Sequence, residues 1–145
     1  MKFLDNLQPL GLLILRFALG LIFFTNGYPK LWHPTADMFH FFTQHGLPAY
    51  SLYVTGILEA FGGALLVIGL FTRAVALLLA IEMGLAIWKF HSGSILAVNT
   101  YGYQLMLATA SFALATVGAG VVSVDEGILG SSGRTTRPSR KPAKD

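Results

Sequence analysis

The chain has no cysteine. That excludes disulfides, thiolate-ligated metals, iron–sulfur clusters and dithiol exchange within it, so any redox chemistry must use a bound cofactor or a partner. Charge is scarce too. Only 12% of the 145 residues are Asp, Glu, Lys or Arg, against roughly 25% in an average soluble domain. No phosphate-cradling glycine loop, no HExxH pattern and no nucleophile elbow occurs along the chain, and no metal is expected. The period-two alternation of a half-buried strand is also missing. The net charge of +3 arises largely in one short basic tail. Such a tail marks topology better than it marks nucleic-acid binding, so no nucleic-acid partner is expected.

What the chain has instead is apolar surface. Hydrophobic residues make up 54% of it, and the mean hydropathy is +0.62. Four apolar segments run from Pro9 to Tyr28, Tyr50 to Phe71, Ala74 to Trp88 and Tyr103 to Val122. A membrane span needs about 20 such residues, and lipid admits only helices or closed barrels. The reading is an all-α integral membrane four-helix bundle over residues 1–129, followed by a disordered basic tail at 130–145. The first segment resembles a signal peptide at its start, but Leu21-Ile22-Phe23-Phe24 carries the apolar run past Ala18-Leu19-Gly20. A retained anchor is therefore expected.

Basic residues set the orientation. Lys2, Arg73 and the tail residues Arg134, Arg137, Arg140, Lys141 and Lys144 share one side of a four-span chain. The positive-inside rule then places both termini in the cytoplasm. Tyr28, Trp32, Tyr50, Tyr53, Trp88, Tyr101 and Tyr103 gather near the outer helix ends as an aromatic belt,. Between Pro34 and Gly46-Leu47-Pro48, the stretch Thr35–His45 reads as a short interfacial helix in the first outer loop,.

Three ionisable residues stand inside apolar runs: Arg16, Glu59 and Glu82. Burying such groups in hydrocarbon costs several kcal/mol unless they are paired or face a cavity. Helical spacing puts Glu59 with Gly56, Ala60 and Gly63, an interior face of small residues. It puts Arg16 with Gly20, Phe23 and Gly27, and Glu82 with Leu85, Ala86 and Lys89. On the fourth segment, Gln104, Ala108, Ser111, Ala115 and Gly118 form a small polar stripe. By depth, Arg16 could reach either glutamate. The other glutamate then lacks a cation unless Lys89 turns inward, and would carry a proton. The ligand-holding or proton-carrying candidates are Arg16, Glu59, Glu82, Lys89 and Gln104, and the outer-face candidates are Asn26, Lys30 and His91. The competing reading is structural: an ion pair that fixes helix register, with Lys30 and Lys89 as snorkelling anchors.

Several pieces resemble the DoxX family of small four-span membrane proteins. These are Leu15-Arg16-Phe17-Ala18-Leu19-Gly20, Asn26-Gly27-Tyr28-Pro29-Lys30, Gly46-Leu47-Pro48, Leu58-Glu59-Ala60-Phe61-Gly62-Gly63 and Gly69-Leu70-Phe71-Thr72-Arg73. Gly118-Ala119-Gly120 and Ser123-Val124-Asp125 resemble the family's closing motifs. Two positions depart from the pattern: Asn26 stands where the family often has His, and Tyr103-Gln104 where it often has a Glu–aromatic pair. The resemblance implies a membrane subunit like that of thiosulfate:quinone oxidoreductase, other redox-complex membership, or an assembly role. The first expectation is thus an inner-membrane oxidoreductase subunit that anchors redox partners and holds a quinone. The alternative is a non-enzymatic scaffold, chaperone or assembly factor, and a small-molecule transporter ranks lower. Homo-oligomerisation stays open, as does whether the chain is an enzyme.

Overall fold

The computed structural model describes residues 2–90, 98–118, 120 and 125. His91, Ala119, Ser123, Val124 and the basic tail lie outside the described residues. Among the described residues there are five helices: α1 (Lys2–Trp32), α2 (Ala36–Gln44), α3 (Ser51–Ile68), α4 (Thr72–Phe90) and α5 (Val98–Val117). No strand occurs among the described residues.

The first helix is longer than its apolar run suggests. It continues through Pro29 to Trp32. Proline at position 29 cannot donate to the carbonyl of Thr25, yet the ladder resumes when the His33 N–H donates to the Pro29 carbonyl at 2.9 Å. This extra turn carries Lys30 on the helix instead of in a loop. α2 falls where Pro34 and Gly46-Leu47-Pro48 bracket it. The Thr35 hydroxyl caps it by accepting from the Met38 N–H at 3.3 Å,.

α3 ends on Gly69, which adopts φ 78° and donates to the carbonyls of Leu65 and Leu66. A left-handed residue after a helix is where glycine is favoured, because it has no Cβ to clash. Phe71 follows with φ 51°, an unusual angle for a bulky residue. The α3–α4 turn is therefore tight, as Gly69-Leu70-Phe71-Thr72 suggests.

α1 packs most closely on α3, and α4 on α5; lighter α3–α4 and α1–α5 contacts close the ring. Phe23, Leu66, Leu79 and Leu114, one from each long helix, are fully buried in the shared core. The α1–α3 seam is built from glycines. A Cβ on Gly27 would overlap the backbone of Gly56 and Ala60, and one on Gly63 would overlap that of Gly20 and Phe24. Such close approach is how helices associate in lipid, where apolar surface alone offers little drive. Leu7–Trp32 and Ser51–Ile68 are long and apolar enough to cross a membrane.

α2 covers the end of the bundle where α1 and α4 finish and α3 begins. Phe42 is buried there, and the rings of Phe41, Phe42 and His45 pack against Phe90 of α4. Phe39 meets Tyr53 of α3.

Candidate functional site

The glycine seam sets the position of the central ion pair. Lys30 lies one turn beyond Gly27, and Glu59 one turn beyond Gly56. Because Gly27 rests on the α3 backbone, the Lys30 Cβ lies against Gly56, and its ammonium donates to the Glu59 carboxylate. Glu59 is only 3% exposed. A charge-assisted bond of this kind is among the stronger ones, and here it joins two apolar helices.

Two adjoining cavities flank the pair. One, of about 460 Å³, lies between α3 and α4 and reaches Thr55, Glu59, Glu82, Ala86, Trp88 and Lys89. The other, of about 530 Å³, lies between α1, α2, α4 and α5 and reaches Asn26, Asp37, Tyr103 and Gln104. Lys30 and Glu59 line both, together with Phe42, Met83, Ala86 and Phe90. The ion pair thus borders both chambers. Both volumes suit a small organic ligand.

The polar groups of the chambers differ in how they are satisfied. Asn26 Nδ2 donates to the Tyr103 hydroxyl at 2.9 Å across α1 and α5. Thr55 and Ser51 donate to the carbonyls of Leu52 and Pro48. Both carboxyl oxygens of Glu82, and Oε1 of Gln104, are buried with no hydrogen-bond partner. Glu82 lies within electrostatic reach of Glu59 and Lys30. Unpaired buried polar atoms are costly and rare, and these two each open onto a chamber.

Arg16 belongs elsewhere. It is 3% exposed and lies near the opposite end of the bundle, where its electrostatic neighbour is Asp125. Neither glutamate forms an ion pair with it, which corrects the expected Arg16–glutamate pairing. The reason is depth. Gly20 and Gly27 set the register of α1 on α3 so that Lys30, not Arg16, stands level with Glu59. Lys30 is accordingly a buried-pair partner and not a snorkelling anchor.

Asp125 itself caps α4. Its carboxylate accepts from the Phe71 N–H at 2.7 Å and the Thr72 N–H at 2.8 Å, and its own N–H donates to the Gly69 carbonyl at 3.1 Å. Partial burial pushes its carboxyl pKa up, but the Thr72 and Phe71 amides and nearby Arg16 outweigh that and hold it below the usual range. A carboxylate at a helix N-terminus also meets the favourable end of the helix dipole. Beside it, Arg73 donates to the Val117 carbonyl at 3.2 Å.

The structure therefore brings together Asn26, Lys30, Glu59, Glu82, Lys89 and Gln104 around the two chambers and leaves Arg16 apart. His91 lies outside the described residues. Asp37 and Tyr103 join the second chamber without having been singled out as site candidates. The signal for Tyr103 was its position beside Gln104 in the stretch that departs from the family pattern.

No solved structure matches the chain. Among curated proteins, it is 33% identical over 106 residues to "Putative oxidoreductase CatD" of Bacillus subtilis, covering 72% of this chain and 78% of that one. It is 28% identical over 124 residues to "Inner membrane protein YqjF" of Escherichia coli, covering 84% of this chain and 95% of that one. The DoxX family model matches residues 11–92, a stretch that holds Arg16, the glycine seam, the Lys30–Glu59 pair and Glu82. On that match and the similarity to CatD, this membrane protein belongs to the DoxX family.

Proposed function

We propose that the chain is the membrane subunit of an oxidoreductase complex and holds a quinone headgroup beside Lys30, Glu59 and Glu82. The observation that carries this reading is a pair of chambers that share a buried ion pair in their lining, one of them also lined by a carboxyl with no partner. Buried ionisable groups that face cavities are the mark of ligand or proton sites in membrane proteins. A carboxyl beside a quinone headgroup is placed to exchange its protons. The name of the Bacillus relative supports a redox setting, and that of the Escherichia relative supports the inner membrane.

In this reading all four long helices span the membrane. α4 has 19 residues and α5 has 20, each about 30 Å long at 1.5 Å per residue. Both termini then face the cytoplasm, and the two chambers lie toward the outer side under α2. Redox enzymes of the membrane or its surface are the partners. Lys89 and Gln104 are further ligand contacts, one in each chamber, and Asn26 positions Tyr103.

The test is the redox state of the membrane quinone pool. A strain lacking the chain should show a shifted quinol fraction, restored by the wild-type chain but not by Glu59→Gln. Restoration by Glu59→Gln equal to wild type would refute a proton-exchanging role for Glu59. An unshifted pool in the deletion strain would favour the scaffold reading.

A further inference from the structure

We propose that the chamber between α3 and α4 is entered sideways from the lipid and takes the hydroxyl-bearing, reduced form of an amphiphile, a quinol, with Glu82 receiving the hydroxyl. This rests on the quinone-linked reading above and adds the route, the preferred form and the contact residue.

The route follows from the rim. Val54, Leu78, Ile81, Leu85 and Trp88 line this chamber, and each is more than half exposed. In a membrane protein, exposed apolar side chains along a spanning helix face lipid. A ligand that crosses such a rim comes from the bilayer and carries an apolar tail. The headgroup would then lie beside Phe42, Trp88 and Phe90, which also line the chamber. Aromatic faces of this kind suit a flat ring.

The preferred form follows from the partners already taken. Ser51 and Thr55 donate to backbone carbonyls of their own chain. Lys30 and Glu59 satisfy each other. Glu82 alone among the carboxyl groups of this chamber has both oxygens buried without a partner. An ionised carboxyl only accepts, and a protonated one both accepts and donates. A ligand hydroxyl can donate to one oxygen of the ionised form, and can both donate to and accept from the protonated one. A quinone carbonyl can only accept, so it leaves at least one Glu82 oxygen unserved. The quinol is therefore the better fit whichever state Glu82 holds.

A lipophilic cation is the competing occupant of an acidic apolar chamber. The charges here argue against it. Lys30 and Lys89 line the chamber with Glu59 and Glu82, so the four formal charges cancel, and an added cation would meet two others. The adjoining chamber, which shares Lys30 and Glu59, has a more polar lining that includes Asn26, Asp37, Tyr103 and Gln104.

Trp88 is a built-in reporter, since Trp32 is the only other tryptophan. In the Trp32→Phe background, the full chain in phosphatidylcholine nanodiscs is titrated under argon with decylubiquinol, with decylubiquinone and with decylamine. Trp88 fluorescence should change saturably with the quinol and at severalfold higher concentration with the quinone. Glu82→Leu should weaken quinol binding roughly tenfold or more, and Glu82→Gln, which keeps a donor and an acceptor, should retain most of it. Equal binding of quinol and quinone, or tighter binding of decylamine, would overturn the proposal. So would wild-type affinity in Glu82→Leu, or a response that never saturates. Unaltered helicity and elution volume of Glu82→Leu would establish that lost binding is not lost folding. If the proposal fails while the deletion still shifts the quinone pool, the subunit reading survives without this site.

Discussion

The Lys30 ammonium is bonded to the Glu59 carboxylate across the α1–α3 seam, and Glu59 is almost fully buried. The pair depends on glycines one turn before each partner, because only a Cβ-less contact lets the two backbones come this close,. The site is thus a consequence of helix packing, and packing and site should fail together when the seam is widened.

Breaking the pair from one side should be expensive. Lys30→Met leaves the Glu59 carboxyl buried without its cation, and losses of about 3–5 kcal/mol are typical for such an uncompensated charge. Replacing both partners, as Lys30→Met with Glu59→Leu, should recover most of that stability. Thermal unfolding of the three variants in one detergent measures the coupling. Additive losses would mean the two side chains do not act as a pair.

The glycines should divide into two classes. Gly27→Ala and Gly63→Ala drive a methyl into opposing backbone, and overpacking of this kind costs about 1–3 kcal/mol. Gly11→Ala and Gly84→Ala meet nothing within 4 Å and should be neutral or stabilising by up to about 1 kcal/mol, from helix propensity. Melting temperatures of the four variants check this. Equal losses in both classes would contradict the seam.

Asp125 should contribute to stability in a defined pH window. Its pKa is lower in the folded chain than in the unfolded one, so its contribution is fully present above the ordinary value of about 3.9. It is lost as pH falls through the lower folded value. Asp125→Ala removes the α4 cap and should cost about 1 kcal/mol at neutral pH. It should also flatten the acid side of the stability profile. Urea unfolding from pH 3 to pH 7 distinguishes the two chains, and parallel profiles would mean that Asp125 does not carry the effect.

Much of this arrangement is legible along the chain. Gly56, Glu59, Ala60 and Gly63 share a face by helical spacing, and all four are buried. Arg16, Gly20, Phe23 and Gly27 behave likewise. The ends of α2 follow from Pro34 and Gly46-Leu47-Pro48. α4 is harder because it is apolar all round. Its buried face is Val75, Ala76, Leu79, Ala80 and Met83, which leaves Leu85 and Lys89 exposed and Glu82 at the edge, facing a chamber.

What local spacing cannot supply is the relative depth of helices far apart in sequence. Arg16 and Glu59 read as interior and are buried, whereas Lys30 reads as an outer-face residue, and which cation meets Glu59 depends on how α1 slides along α3. The continuation of α1 through Pro29 was also hidden, since proline reads as a helix end. Asp125 bonds to residues 53 and 54 positions earlier, a return of the chain that no helical period reports.

The central claim is that this protein works as part of a redox complex. Its most direct test is isolation of the tagged chain from native membranes in a mild detergent, with every co-purifying protein identified and quantified. The account predicts a redox enzyme in fixed proportion to the chain, together with bound quinone that falls in Glu82→Leu. Recovery of the chain alone, or with immature membrane proteins and no redox enzyme, would contradict it and return Lys30, Glu59 and Glu82 to a structural role.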